Sequence, residues 1–558
     1  MKSKPMKKYI PVLTTVILLA FCAAVLGQTV KQKKGSNMLY AIIQKDGIEQ
    51  AVKKFTRLQK MNSGEYDLGE SEINKLGYKL LNEDNLTSAE QIFDLNVEYH
   101  PESINALDSR NDAYMALGKY EEAAKAYQKI LSMLEEQDLP PRQERRLKSK
   151  AQTNLYRVKH FVPPSKDAFN YISFYGGIPA GKWDMENVAG FNRKHPDLPV
   201  SYTGNNLYFR PIPGNTEETF NSSNPTDIAT GFIGGYLTDF IRQGDITDIS
   251  DLWNSNNWDE VFPKAFTRLS GYNGKQYFVP MAYQWNPVWY RKDIFDKHGL
   301  NPPKSWKELL SLCDRLNELG YAPFSISVQN WPPPVARWFS ILDLRLNGPD
   351  FHQQVSQGEV SFKNERIRNV FEHWQTLFRH HAFPDSSYTY NYTNGIQAFT
   401  SGKAVMYNLG EWLFESLNEE QAKELDFFVF PPMKPGIPSA EIVHVYGAYM
   451  TNRSTHPAGA RAMLAYLGSR SSQQSNVTAN HRIVANSRVD SSLYTPVQRR
   501  IIKQMNHTDQ LVPLFEFSTK PAFGRKALRI FQEFWKDPED IDGTLVKLEK
   551  ARREVFGM

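Results

Sequence analysis

With 558 residues, 41% of them hydrophobic and 23% charged, the chain has ordinary globular composition and exceeds the roughly 250–300 residues one core supports, so it divides into at least two folding units. The formal charge of +5 sits mostly on Lys2, Lys4, Lys7 and Lys8, and without them the remainder is about +1, which excludes a strongly basic nucleic-acid surface. The 13% aromatic share is somewhat high and favours, weakly, a ligand-stacking surface.

The basic start is followed by the apolar run IPVLTTVILLAFCAAVLG, Ile10 to Gly27, which reads as a Sec signal peptide over residues 1–27 with Val25 and Gly27 at a plausible cleavage position. Two variants stay open. LAFC, ending at Cys22, approaches a lipoprotein box, but Phe21 stands where a small residue is required; an uncleaved anchor is also compatible with a run at the lower edge of bilayer-spanning length. Each predicts export, to the periplasm or cell envelope. With the leader removed Cys313 is the only cysteine left, so neither an internal disulfide nor a thiolate metal cluster forms. In ELLSLCDRLNEL, Cys313 reads as a buried apolar residue.

Residues 28–60 read as linker or helix. Between residues 61 and 140 there are 6 Lys or Arg against 17 Asp or Glu, whereas the next twenty residues, PRQERRLKSKAQTNLYRVKH, carry seven basic and one acidic. That reversal is taken as a boundary, with 141–168 a basic helical linker. Within the acidic part a period of 34 places Leu76, Gly77, Ala89 and Phe93 where a tetratricopeptide repeat wants Leu, Gly, Ala and Phe. One period on, Tyr114, Ala123 and Tyr127 match, with Gly118 in the inter-helix turn. Small residues let paired helices approach and large ones fill the gap between pairs. The segment resembles two tetratricopeptide repeats, which bind partners and carry no chemistry; the alternative is an amphipathic hairpin without repeat ancestry.

After Pro163 and Pro164, short β-rich runs alternate with helices, as in NYISFYGG, DIATGF and GGYLTDFIRQG, which implies parallel strands with crossover helices in an α/β architecture. GGIPAGKW fits most of a P-loop, but Trp183 stands where a Mg²⁺-holding hydroxyl belongs and Pro179 removes a phosphate-cradling N–H. Neither S-x-x-K, G-x-S-x-G nor H-E-x-x-H occurs, which removes the commonest hydrolase and zinc-protease signatures. Adjacent His380 and His381 cannot face one metal as an i, i+4 pair would. The tyrosines of SSYTYNYT read as a half-exposed strand or loop rather than a ferric-ion site. No catalytic residue, metal or cofactor is expected.

From about Ile172 onward a succession of motifs occurs: FNRKHPDLPV, DITDISDLW, NGKQYFVPM, VWYRKDIFDKHGLNPPKSWKELL, CDRLNELGYAPFSIS leading to Trp331, and AFTSGKAVMYNLGEW. In order and spacing it resembles the extracellular solute-binding proteins of carbohydrate ABC importers, the family that includes maltose-binding protein. The resemblance implies a bilobal α/β periplasmic-binding-protein fold (type II) over 169–558, preceded by the all-α repeat segment. The first lobe is expected at about 169–282 plus 440–490, and the second at about 283–436 plus C-terminal helices. It also implies a sugar in the cleft, hinge closure, and delivery to importer permease subunits.

The positions carried over are Gln284, Trp285 and Asn286 after the VP step, Trp331 after the next strand, and Trp412 with Glu411 in the G-x-W that follows GKAVM. Trp183 and Phe232 are weaker candidates from the other lobe. Trp289 and Tyr290 are assigned to the second lobe's core, Val279 to Ala282 to the hinge, and Tyr283 to either. The chemistry agrees, since a pyranose needs flat aromatic surface for its C–H face and amides or carboxylates for its hydroxyl rim. A periplasmic scaffold or sensor-coupled binder whose repeats recruit a protein, and a secreted carbohydrate-active enzyme, remain as alternatives.

Overall fold

A computed structural model describes residues 32–61, 64–137, 139, 141–165, 167–175, 178, 181–204, 225–329, 333–480, 482–508 and 510–557. The expected leader lies outside these. The chain divides into two units, Met1–Lys159 and His160–Met558.

The first unit is a run of helices: α1 (Gly35–Asp46), α2 (Ile48–Met61), α3 (Glu70–Asn82), α4 (Leu86–Tyr99), α5 (Ile104–Ala116), α6 (Tyr120–Glu136) and α7 (Pro141–His160). Helices α1 and α2, α3 and α4, and α5 and α6 pair as hairpins, and α4 also packs on α5. Leu76, Ala89 and Phe93 share a core with Leu39 and Phe55, and Ala123 and Tyr127 share another with Ile104 and Leu107. At Gly77 a Cβ would stand 2.3 Å from the Phe93 ring, so the missing side chain is what lets α3 and α4 close on each other. Gly118, at φ +72°, turns the chain between α5 and α6, a conformation that favours glycine.

Most of the stretch expected as a linker is α7, and its Leu147 and Ala151 bury in the second core. The charge reversal there is complementarity. Lys150 donates to Asp108 at 2.9 Å and to Asp112 at 2.8 Å, and the Tyr78 hydroxyl donates to Asp112 at 2.8 Å. A basic helix against acidic hairpins is how this unit closes.

The second unit is built on two sheets. The strands are β1 (Phe169–Ser173), β2 (Val200–Gly204), β3 (Ile228–Phe232), β4 (Val279–Trp285), β5 (Val288–Arg291), β6 (Ala322–Ser325), β7 (Ala404–Asn408), β8 (Leu425–Phe428), β9 (Ala440–Met450) and β10 (Gln510–Pro513). The six-stranded sheet runs β10-β9-β3-β1-β2 with β4 also on β9, and the four-stranded sheet runs β6-β7-β5-β8. Parallel β1 and β2 are joined by α8 (Lys182–Lys194), the crossover unit that parallel pairing requires. Residues of β9, AEIVHVYGAYM, are buried throughout, which explains their near-continuous apolar character.

The chain leaves the six-stranded sheet at Trp285 and enters the four-stranded one at Val288, with only Asn286 and Pro287 between. It returns between Phe428 and Ala440. Helices α13 (Pro457–Gly468) and α14 (Arg470–Asn480) follow β9 on the first lobe. After β10 it crosses again, and α15 (Pro521–Lys536) and α16 (Ile541–Phe556) pack on α11 (Pro333–Asn347) and α12 (Glu365–Arg379) of the second lobe. Helix α10 (Trp306–Glu318) starts where the KSWKE pattern predicts: the Ser305 hydroxyl accepts from the Glu308 amide, satisfying an otherwise orphan donor.

Candidate functional site: the interlobe cleft

Register fixes what faces the cleft. On β4 and β9, Gln284 lies opposite His444, Trp285 opposite Val443 and Tyr283 opposite Val445, while Tyr446 of β9 lies opposite Phe232 of β3. Opposed residues share a face and side chains alternate along a strand. Gln284, His444, Tyr446 and Phe232 therefore share one face, and Trp285 and Tyr283 share the other.

The first face carries a continuous wall of rings. Trp412, in the turn Glu411–Ser416 after β7, stands 5.0 Å from the His444 ring. His444 meets Phe232 edge-on at 5.6 Å, Phe232 meets Tyr446 at 5.6 Å, and Tyr446 meets Trp183 at 5.0 Å and Tyr175 at 4.9 Å. Trp412 comes from the second lobe and Trp183, at the start of α8, from the first. Gly410 is needed beside Trp412, because a Cβ there would sit 1.8 Å from its ring. Three expected aromatics are thus brought together, and the residues joining them, His444 and Tyr446, were not expected.

On the opposite face Trp285 is fully buried, its Nε1 donates to Glu441 Oε2 at 2.8 Å, and its ring meets Phe427 edge-on at 5.3 Å. Its polar edge is engaged within the protein, so its place is in the hinge. Tyr283 packs on Phe266 at 4.9 Å, which puts it in the first lobe's interior. Trp289 is buried and donates from Nε1 to the Leu409 carbonyl at 2.8 Å, and Tyr290 lies on β5 against Phe295. Asn286, in the crossover, donates from Nδ2 to the Ile442 carbonyl at 3.3 Å, and its buried Oδ1 has no protein partner. Trp331 lies outside the described residues.

Polar groups cluster behind the ring wall with partners missing. Among the described residues, Trp183 Nε1, both His444 nitrogens, Asn286 Oδ1, Asn408 Oδ1, Glu516 Oε2, and Arg337 Nε and Nη2 are buried without a protein hydrogen-bond partner. Buried polar atoms are normally paired; other orphans are scattered through the chain, at Asn111, Asn187 and Trp253 among others, while these connect to the ring wall through Trp183, His444 and Arg337. Arg337, on α11, holds the Asn408 carbonyl with Nη1 at 3.1 Å and lies with its guanidinium carbon 5.6 Å from the Trp412 ring centre. From the first lobe the Arg482 guanidinium stands 5.5 Å from the Trp183 ring.

Burial governs the ionisation of this cluster. It pushes the Glu411 carboxyl up to about 8 although the residue keeps part of its surface open, against the opposing pull of the Trp285 amide, which donates to it at 3.4 Å, and of Arg482. It pushes Glu516 up to about 7 and draws Arg337 down to about 10, each partly offset by the other's charge. His444 is held well below its ordinary value by burial and by Arg337. Deeper in the first lobe, burial raises Asp184 to about 6 against the hydroxyls of Tyr171, Tyr202 and Tyr446 that donate to it.

Nothing in a motif pointed to Arg337, His444 or Glu516, yet each left a trace. Arg337 is a lone charge at the apolar start of α11, His444 a lone imidazole in EIVHVYGAYM, and Glu516 a lone acid in PLFEFS. A charge inside an apolar run is almost never buried without purpose.

Residues 175–474, more than half of the chain, match the family model of the bacterial extracellular solute-binding protein. The chain belongs to that family. Among relatives of this solute-binding protein is an uncharacterized ABC transporter extracellular-binding protein of Pyrococcus horikoshii, 23% identical over 296 residues, 52% of this chain and 65% of that one. A probable sugar-binding periplasmic protein of Rhizobium meliloti is 26% identical over 188 residues, 33% of this chain and 44% of that one. The chain therefore spans less than two thirds of either relative. Among solved structures, the bacterial solute receptor AcbH, described as having an exclusive preference for β-D-galactopyranose, superposes with a TM-score of 0.63 at 22% identity, covering 69% of this chain and 99% of its own. Maltose-bound MalE3 of T. maritima gives 0.55 at 15%, covering 69% and 99%. At these identities the structures establish the bilobal α/β fold of the solute-binding protein.

Proposed function

We propose that this solute-binding protein is an exported carbohydrate receptor that captures a sugar in its interlobe cleft by hinge closure and delivers it to the permease subunits of an ABC importer. The observation that carries the reading is the ring wall from Trp412 through His444, Phe232 and Tyr446 to Trp183, backed by buried polar atoms without protein partners. Rings match the C–H face of a pyranose, and the unpaired Arg, Asn, Glu and Trp groups match its hydroxyl rim. The relatives named for sugars and for ABC transport support the same conclusion. Gln284, Asn286, Glu411, Trp412, Phe232 and Trp183 are the contacts assigned to the described chain, with His444, Tyr446 and Arg337 added; Trp331 is kept from the family resemblance.

No covalent step is required. Short crossings at Asn286–Pro287 and over residues 429–439 let the lobes rotate as bodies, and a ligand touching both favours the closed state by its differential contacts. The helical unit is assigned to holding the receptor to a protein partner, a role repeats of this kind serve. Thermal-shift and calorimetric titration of the whole protein against mono- and oligosaccharides tests the receptor reading: a saturable rise in Tm with one sugar and no turnover is expected. Reducing-end release would reject it in favour of an enzyme. The absence of any shift across the panel would reject it in favour of a scaffold.

A further inference from the structure

Buried arginines elsewhere in this unit are fully used. Arg345 donates from Nε to the Phe430 carbonyl, from Nη1 to the Ala440 carbonyl and from Nη2 to Glu441. Arg552 spends Nε and Nη2 on Glu549 and Nη1 on the Gly358 carbonyl. Among the described residues Arg337, 1% exposed, uses only Nη1, and the edge formed by Nε and Nη2 has no protein acceptor. Those two nitrogens form the side-on fork of a guanidinium, two parallel N–H donors at the spacing of the two oxygens of a carboxylate.

We propose that Arg337 is the receptor site for the carboxylate of an acidic sugar, so that the ligand class is a uronic acid or an oligosaccharide ending in one. This rests on the carbohydrate-receptor reading and narrows it. The guanidinium carbon is 5.6 Å from the Trp412 ring centre, so a sugar with its C–H face on that indole would have a C5 carboxylate within reach of the guanidinium. A neutral hydroxymethyl group at C5 would leave one donor of the fork unmet, and an unmet buried charged donor is costly. The charge around the fork agrees. Glu516, the acid whose field reaches Arg337, is raised by burial to about 7, so at neutral pH it carries only part of a charge, and His444, held well below its ordinary value, carries none.

The test is calorimetric titration of the whole protein at neutral pH with matched pairs: galacturonate against galactose, glucuronate against glucose, mannuronate against mannose, and the corresponding dimers, with galactose 6-sulfate as a differently shaped anion. One acidic member is expected to bind about tenfold or more tighter than its neutral partner, the worth of one bidentate charged pair. Arg337→Met, and Arg337→Lys, which keeps the charge without the fork, are expected to weaken both members of the pair but the acidic one about tenfold more, so that most of the preference is lost. Thermal unfolding reports that each variant is folded; should the Met variant not fold, the Lys variant carries the comparison. A neutral sugar bound as tightly as its uronate, equal losses for both in the variants, or preference for the sulfate over every uronate would overturn the carboxylate site and leave the sugar receptor standing. Absence of binding by every member would overturn both.

Discussion

Arg337 and Arg345 lie eight residues apart on α11, both buried, yet one is saturated and the other is not. Arg345 reaches two carbonyls and Glu441, which in turn accepts from Trp285 Nε1 at 2.8 Å. It ties the second lobe's helix to the start of β9 and, through Glu441, to Trp285 at the start of the first crossover. Arg337 makes a single bond to the protein, to the Asn408 carbonyl. Burying a guanidinium without acceptors costs several kcal/mol, roughly, unless something completes it. The contrast separates a structural cation, whose bonding is finished by the fold, from a functional one, whose bonding is finished by a ligand.

The largest expected effect breaks the saturated member. Arg345→Met strands Glu441 as an uncompensated buried carboxylate and loosens the Trp285 contact, and it is expected to lower unfolding free energy by ~3–5 kcal/mol. Urea denaturation followed by tryptophan fluorescence measures this; a loss under about 1 kcal/mol would mean that the hinge does not depend on the clamp. Next comes the ring covering the unsaturated member. Trp412→Ala is expected to weaken sugar binding by ~1–3 kcal/mol, the value of a lost buried aromatic contact, with little change in stability because Trp412 is only partly buried. Unchanged calorimetric affinity in the folded variant rejects its place in the site. Smaller again is the stability effect of Arg337→Met. A methionine fills similar volume and removes a desolvated charge, so unfolding free energy should move by no more than ~1 kcal/mol, and stabilisation is an acceptable sign. A loss as large as that of Arg345→Met would erase the distinction between the two arginines.

That distinction was not legible in the sequence, and the reason is physical. Order and spacing of the strands, the VP crossover and the G-x-W turn were legible because each follows from local chemistry: period-2 burial, proline before a crossing, glycine beside a tryptophan. Phe232, Trp183 and Trp412 were proposed from the same local patterns. Trp285 looked equivalent to them, but its alternation on β4 against β9 turns it to the other face, a fact fixed by pairing register with a strand more than 150 residues away. His444 and Tyr446 could be placed only through that same register. The basic stretch 141–160 misled in the other direction: its charge marked a partner surface for α5 and read as a boundary, because complementarity between distant segments leaves no trace in either alone.

The smallest expected effect tests whether burial keeps Glu411, beside Trp412, protonated. Glu411 has its folded-state value raised to about 8 from an ordinary 4.5. Between those values the folded protein holds a proton that the unfolded chain has released, so stability falls as pH rises through this window and is unaffected by Glu411 below it. Glu516 and Asp184, raised to about 7 and about 6, act with the same sign. His444, held well below its ordinary 6.5, acts with the opposite sign up to that value, but three carboxyls outweigh one imidazole, and the ligand-free protein should lose stability on balance from about pH 5 to pH 8. Glu411→Gln, which cannot take up or release that proton, should flatten the upper part of this decline without abolishing it, because Glu516 and Asp184 still titrate. Chemical denaturation of the parent and the variant across that range measures the difference in slope. Identical slopes would place the Glu411 carboxylate in its ionised form within the cleft, held there by the Trp285 amide and by Arg482, whose charge reaches it.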